Sequence, residues 1–260
     1  MIARLRDICH GDERVISALI FGSFATGEGD AFSDIEFAIF IEDEHFESFE
    51  QRAWLNQVSP VAAYFMDDFG HRTALFENGI RGEFHFMPAS QQAVIAGWKG
   101  YGWFPRLEDA VLLDRSGDLS HYAQALVGGP PVREGAELVE SLSLNLINLM
   151  LFGANLLKRG EFARAWALLG KAHESLLKLV RLHQHTTDHW PTPSRALESD
   201  LPDNAYTRYL SCTASAQPAE LLAAYRESWR WGCELFDAVG VPLGIELPAV
   251  VIEQVDRLFE

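Results

Sequence analysis

The chain of 260 residues carries 37 acidic against 21 basic side chains, a formal net charge of −16, and is 48% hydrophobic. That apolar share is ordinary for a folded chain and too high for an acidic disordered tail, and the length suffices for two domains of about 100–150 residues or one large one. The acidic balance excludes a protein built to grip duplex nucleic acid or an anionic membrane surface, since both recruit Lys and Arg; a local basic pocket for a single phosphate stays open.

Short β-rich runs are predicted in chain order over Val15–Phe21, Ile35–Ile41, Val61–Met66, Thr73–Phe76 and Glu83–Met87, separated by Gly, Asp and Pro. Gly128-Gly129-Pro130-Pro131 can continue neither a helix nor a central strand, so the domain boundary is placed there, giving residues 1–130 and 131–260. Beyond it apolar residues return every three or four positions, from Leu138 to His183, from Ala219 to Val239 and from Pro248 to Phe259. Gly160, after Lys158-Arg159, marks a helix end, so Glu137–Arg159 and Glu161–Leu182 are predicted to form an αα-hairpin that opens a bundle. The most apolar stretch, Leu142–Leu157, is broken by Ser143, Asn145, Asn148 and Asn155 and reads as a buried helix rather than a bilayer span. The fold class is therefore α+β, with an all-α domain following. Cys9, Cys212 and Cys233 are an odd set without a C-x-x-C pair, which points to reduced thiols and a cytoplasmic setting rather than a disulfide frame or zinc ribbon. The first residues lack the apolar core of a signal peptide.

Chemistry concentrates in two segments. The run Ala18-Leu19-Ile20-Phe21 leads into Gly22-Ser23, a strand ending in a turn whose backbone N–H groups and hydroxyl suit a phosphate. Nine residues after Phe24, strand alternation in Asp34-Ile35-Glu36-Phe37 puts Asp34 and Glu36 on one face and Ile35 and Phe37 in the core. Neighbouring carboxylates repel unless a cation lies between them, and hard oxygen donors at this density suit Mg²⁺; a solvent-facing strand is the plainer alternative. In Arg81-Gly82-Glu83-Phe84-His85-Phe86-Met87, alternation sets Glu83 and His85 against Phe84 and Phe86. If this strand pairs beside Ile35–Ile41, Glu83 joins the other two acids as a metal ligand or proton acceptor, with Gly82 allowing close approach of a ligand or loop, and His85 either contacts substrate or nucleotide or is a satisfied structural histidine.

Six basic residues lie between Lys158 and Arg181, and Arg164, Lys171 and Lys178 recur every seven residues, which puts them on one helical face that suits a triphosphate or plain solvent. Lys158 and Arg159 could alternatively cap helix carbonyls. His183, His185 and His189 read as a chain leaving a helix more than as metal ligands. Trp98 to Pro105 is an aromatic loop that either walls a cleft or plugs the core.

The G-S…S-D-I-E pattern with a later strand carboxylate resembles the polymerase-beta-type nucleotidyltransferase superfamily. The strings Gly22-Ser23-Phe24 through Gly27-Glu28-Gly29-Asp30, Ser33-Asp34-Ile35-Glu36-Phe37, Ile80-Arg81-Gly82-Glu83-Phe84-His85-Phe86 and Leu157-Lys158-Arg159-Gly160-Glu161 are similar to the lincosamide nucleotidyltransferases with a helical C-terminal domain. The resemblance implies an N-terminal mixed sheet with flanking helices, and transfer of AMP from ATP or another nucleoside triphosphate, with Mg²⁺ (two ions), to a lincosamide hydroxyl, releasing pyrophosphate. It assigns Asp34 and Glu36 to the metals, Glu83 as general base or further metal ligand, and Gly22 and Ser23 to the triphosphate. Lys158 and Arg164 are taken as further nucleotide contacts and His85 as a substrate contact, whereas Phe21, Ala25 and Thr26 carry no assigned chemistry. The expected partners are a small-molecule antibiotic and the nucleotide, without nucleic acid or membrane, and the chain could act as a homodimer. An aminoglycoside acceptor, which an acidic cleft also suits, and a protein acceptor are the competing readings.

Overall fold

The computed structural model describes residues 1–259. The chain folds as two compact units, Met1–Pro131 and the remainder from Val132.

The first unit opens with α1 (Ile2–Gly11), followed by β1 (Val15–Phe21), the single turn α2 (Ser23–Thr26), β2 (Ile35–Ile41) and two short helices, α3 (Asp43–Phe46) and α4 (Gln51–Leu55). Then come β3 (Val61–Met66), β4 (Arg72–Phe76), β5 (Arg81–Pro88), a 3₁₀ segment over Ala89–Trp98, α5 (Leu107–Ala110), β6 (Val111–Asp114) and α6 (Asp118–Ala123). The strands form one mixed sheet in the order β3-β4-β5-β2-β1-β6, in which β2 and β5 run parallel and every other pair antiparallel. β6 was not foreseen as a strand: four residues are too few to show a period, and the partner it completes, β1, lies more than ninety residues earlier.

Alternation decides which side chains enter the core. On β5, Gly82, Phe84 and Phe86 are buried while Glu83 and His85 are half-buried. Phe84 stacks on Phe37 of β2 at 5.7 Å between centroids, and Phe86 meets Phe49 at 5.7 Å and Trp54 at 5.8 Å, an aromatic layer in which each buried ring contributes about 1.5–3 kcal/mol. Gly82 belongs to this layer. A Cβ there would lie 2.6 Å from the Phe84 ring and 3.1 Å from Ile35, so the glycine makes room for core packing and not, as expected from the sequence, for a ligand or loop.

The second unit is all helical: α7 (Ala136–Lys158), α8 (Phe162–Gln184), α9 (Leu197–Asp200), α10 (Asp203–Ser211), α11 (Pro218–Leu235), a π-helical turn at Phe236–Gly240 and α12 (Ala249–Phe259). Gly160, at φ 72°, supplies the left-handed residue that ends α7 and starts the hairpin to α8. By length and a mean hydropathy of 1.2, α7 could cross a membrane. Here its Val139, Leu146, Ile147, Met150 and Ala154 face is buried in the bundle. Tyr225 of α11 packs against α7, where a Cβ on Gly153 would come within 2.1 Å of the ring, and its hydroxyl donates to the Ala165 carbonyl at 2.7 Å.

Candidate active site

The sheet register builds the site. Across the parallel β2–β5 pair Glu36 lies opposite Glu83 and Ala38 opposite His85; across β1–β2 Phe21 lies opposite Glu36, and across β4–β5 Thr73 lies opposite Glu83. Because side chains of directly paired residues share a face, Phe21, Glu36, Glu83, His85 and Thr73 form one continuous floor. The pairing on which the sequence expectation for Glu83 depended is thus present.

Gly22 and Ser23 form the rim at the end of β1. Gly22 sits at φ 66°, and a Cβ on it would lie 1.5 Å from Glu36 Oε2, so the Glu36 carboxylate fills the space that only glycine leaves. Ser23 is buried, and its hydroxyl has no hydrogen-bond partner among the described residues. Leaving a buried hydroxyl unpaired costs about 1–3 kcal/mol, an arrangement that persists where a ligand supplies the missing partner.

Asp34 is delivered by a closed turn, in which Asp30 Oδ1 accepts from the Phe32 amide at 2.8 Å and the Ser33 hydroxyl at 2.9 Å. Its carboxylate receives Arg81 Nη1 at 2.6 Å, while Arg81 Nη2 reaches Asp67 at 3.2 Å and Glu83 at 3.7 Å. One guanidinium therefore ties together acids from three segments. Asp67 also orders the β3–β4 turn: its Oδ1 accepts from the Phe69 and His71 amides and its Oδ2 from the Thr73 hydroxyl. The His71 amide, opposed by desolvation and aided by the Thr73 hydroxyl and the Phe69 amide, holds the Asp67 carboxyl below the usual range.

Glu83 lies between two imidazoles. His85 Nε2 is 2.7 Å from Oε1 and His71 Nδ1 is 3.2 Å from Oε2. The His85 hydrogen bond, aided by the charges of His71, His85 and Arg81 and opposed by burial, holds the carboxyl below its ordinary value of 4.5, so Glu83 is ionised at neutral pH. Rings wall this part of the floor: Phe21 lies 5.0 Å from Trp98 and 5.6 Å from His85, and Trp98 lies 5.9 Å from His85. The aromatic loop thus divides its roles, with Trp98 at the wall, Phe104 in the core and Tyr101 exposed.

Asp67, His71 and Arg81 are not among the site residues expected from sequence, whereas Trp98 belongs to the aromatic loop for which a cleft wall is one of the two expected roles. The turn signal of Gly70 is visible in the chain, but that His71 faces Glu83 depends on the β4–β5 register, which no local pattern encodes. In the helical unit, Arg164 pairs with Glu161 at 3.1 Å and lies over the Phe152 ring, Lys171 pairs with Glu174 at 3.1 Å, and Lys178 lies over Trp190. Lys158 closes the last turn of α7. His189 contacts Asp200 at 2.6 Å, a structural partner in place of a metal.

Residues 3–62 match the family model for the polymerase beta nucleotidyltransferase domain, and residues 135–258 match that for the lincosamide nucleotidyltransferase-like C-terminal domain. The chain thus carries an N-terminal segment of the polymerase beta nucleotidyltransferase type and a lincosamide-nucleotidyltransferase-like C-terminal domain. No curated protein matches the nucleotidyltransferase chain. Among solved structures it is similar to an aminoglycoside 6-adenyltransferase from Bacillus subtilis, at 15% identity and a TM-score of 0.47 over 100% of this chain and 97% of that one. It is also similar to a nucleotidyltransferase-like protein from Exiguobacterium sibiricum, at 14% identity and a TM-score of 0.40 over 93% of this chain and 77% of that one.

Proposed function

We propose that the nucleotidyltransferase moves AMP from ATP to a hydroxyl of a lincosamide antibiotic and releases pyrophosphate. The observation that carries this reading is the β2–β5 register, which sets Glu83 beside Glu36 at the Gly22–Ser23 rim, so that the two sequence motifs meet in one place. The lincosamide-nucleotidyltransferase-like domain over residues 135–258 supports the acceptor class.

The residues fit a divalent cation. Asp34, Glu36 and Glu83 offer hard oxygen donors, and the unpaired Ser23 hydroxyl stands beside Gly22, whose missing Cβ leaves room for the Glu36 carboxylate. Bound Mg²⁺ supplies charge neutralisation for the triphosphate and its leaving pyrophosphate. The chain's own groups do the rest. Ser23 donates to a phosphate oxygen, Arg81 holds Asp34 in place until the nucleotide arrives, and the ionised Glu83 accepts the proton of the attacking hydroxyl. Positioning of these groups dominates, because in-line transfer between oxygens needs no covalent enzyme intermediate.

The test incubates the protein with Mg²⁺, ATP and either lincomycin or kanamycin, following pyrophosphate and the mass of the drug. Lincomycin gaining one AMP is the expected result, with Asp34→Asn abolishing it while circular dichroism stays unchanged. Kanamycin modified instead transfers the reading to an aminoglycoside acceptor, and AMP appearing only on a protein overturns both.

A further inference from the structure

Among the described residues, His71, Glu83 and His85 present ligand atoms that all lie within 4.8 Å of one another. The other such trio, Glu42, Glu44 and His45, sits on an exposed turn with side chains 43–74% accessible and contacts of 3.6 and 3.7 Å. The first trio is tighter and more enclosed at two of its members, although the His71 side chain is 40% exposed. Glu83 is only 12% exposed and His85 26%, the carboxylate gives one oxygen to each imidazole, and the contacts are 2.7 and 3.2 Å.

We propose that His71, Glu83 and His85 form a binding site for a borderline divalent transition-metal ion of the Zn²⁺ or Co²⁺ type, separate in chemistry from an all-oxygen Mg²⁺ site. Two imidazole nitrogens and a carboxylate are the donor set these ions favour, whereas Mg²⁺ selects oxygens. The nitrogens flank the carboxylate, so an ion that replaces the His–Glu contacts has all three side chains within reach. The ligands are also held from behind: the His71 amide donates to Asp67 at 2.9 Å, and the His85 ring is packed by Phe21 and Trp98. The surrounding charge favours a dication, because Asp34, Glu36, Asp67 and Glu83 are set against the single guanidinium of Arg81. An ion here takes Glu83 as a ligand and so competes with any role of that carboxylate toward a substrate hydroxyl.

The proposal deepens the reading of the same site, since it shares Glu83, but ion binding requires neither nucleotide nor acceptor. The test titrates Co²⁺ into the metal-stripped full chain, without nucleotide, and follows the visible d–d absorption. One saturable equivalent is expected, displaced by Zn²⁺, with His71→Ala and His85→Ala each weakening it at least about tenfold, the lower end of what even supporting groups behind metal ligands contribute. Asp34→Asn, which removes a nearby charge but no ligand, weakens it far less than either histidine variant. Circular dichroism checks each variant, and His71→Gln and His85→Asn replace any that fails to fold. The absence of a saturable band, or wild-type affinity in the His71 variants, overturns the proposal. So does an Asp34→Asn loss equal to that of the histidine variants, which would place the ion on the oxygens. Failure of AMP transfer leaves all these outcomes readable.

Discussion

Ser23 is placed where stability alone would not keep a hydroxyl. It is buried and its oxygen has no partner among the described residues, while the Gly22 carbonyl accepts from the Ala25 and Thr26 amides and the Ser23 carbonyl from the Glu28 amide. Ser23→Ala is therefore expected to leave the melting temperature unchanged or raise it, by up to about 1 kcal/mol of stability, while raising KM for the nucleotide. A variant that loses stability and keeps its KM would mean that the hydroxyl serves the fold. Residues of this kind differ in how far they can be read from sequence. Asp34, Glu36, Glu83 and His85 stand at the period of a strand beside apolar neighbours, which by itself groups Asp34 with Glu36 and Glu83 with His85, while the β2–β5 register joins Glu36 to Glu83. His71 and Asp67 carry no such mark, because their place beside Glu83 and Arg81 is fixed by hydrogen bonds across a turn and by the register of a neighbouring strand.

Among elements, the segment after α8 is held by one side chain. Arg181 is fully buried on α8, and its guanidinium donates to the carbonyls of Thr186, Pro193 and Arg195 and pairs with Asp200 at 2.8 Å. Arg181→Ala strands those acceptors and leaves a carboxylate without its partner, so a loss of about 3–5 kcal/mol is expected in urea unfolding, the range for breaking one side of a buried pair. A loss below about 1 kcal/mol would show that the chain from Thr186 to Asp200 is held by its own turns. Arg181 also shows where the sequence misleads. Counted along the chain it belongs to a basic run whose members Arg164 and Lys171 are exposed, yet Arg181 points inward because the returning segment offers it acceptors that only the folded chain brings near. Long periodic elements are clear in advance for the opposite reason: β1, β2 and β3 match their expected bounds, and α7 and α8 start and stop within two residues of theirs, since Gly160 and the apolar spacing act locally.

At the scale of the whole molecule, the charge of −16 bears on how a nucleotide arrives. A triphosphate approaching at low ionic strength feels the whole acidic surface, because the screening length is about 30 Å at 0.01 M salt and about 8 Å at 0.15 M. The value of kcat/KM for ATP is therefore expected to rise between these two conditions; a fall would show that nearby cations such as Arg81 dominate the approach. The order of the sheet has a consequence of a different kind, in the time domain. Glu36 and Glu83 meet only through a parallel pairing that closes a loop of some forty-seven residues, and β1 gains its outer partner β6 only after about ninety. Contacts so distant along the chain form slowly, after local helices and hairpins, because the closure entropy is spent before the contacts return it. The nascent chain thus passes through a stage in which hairpin β3–β4 can form but the acids have not met. Chemistry is among the last properties that this unit acquires as it folds.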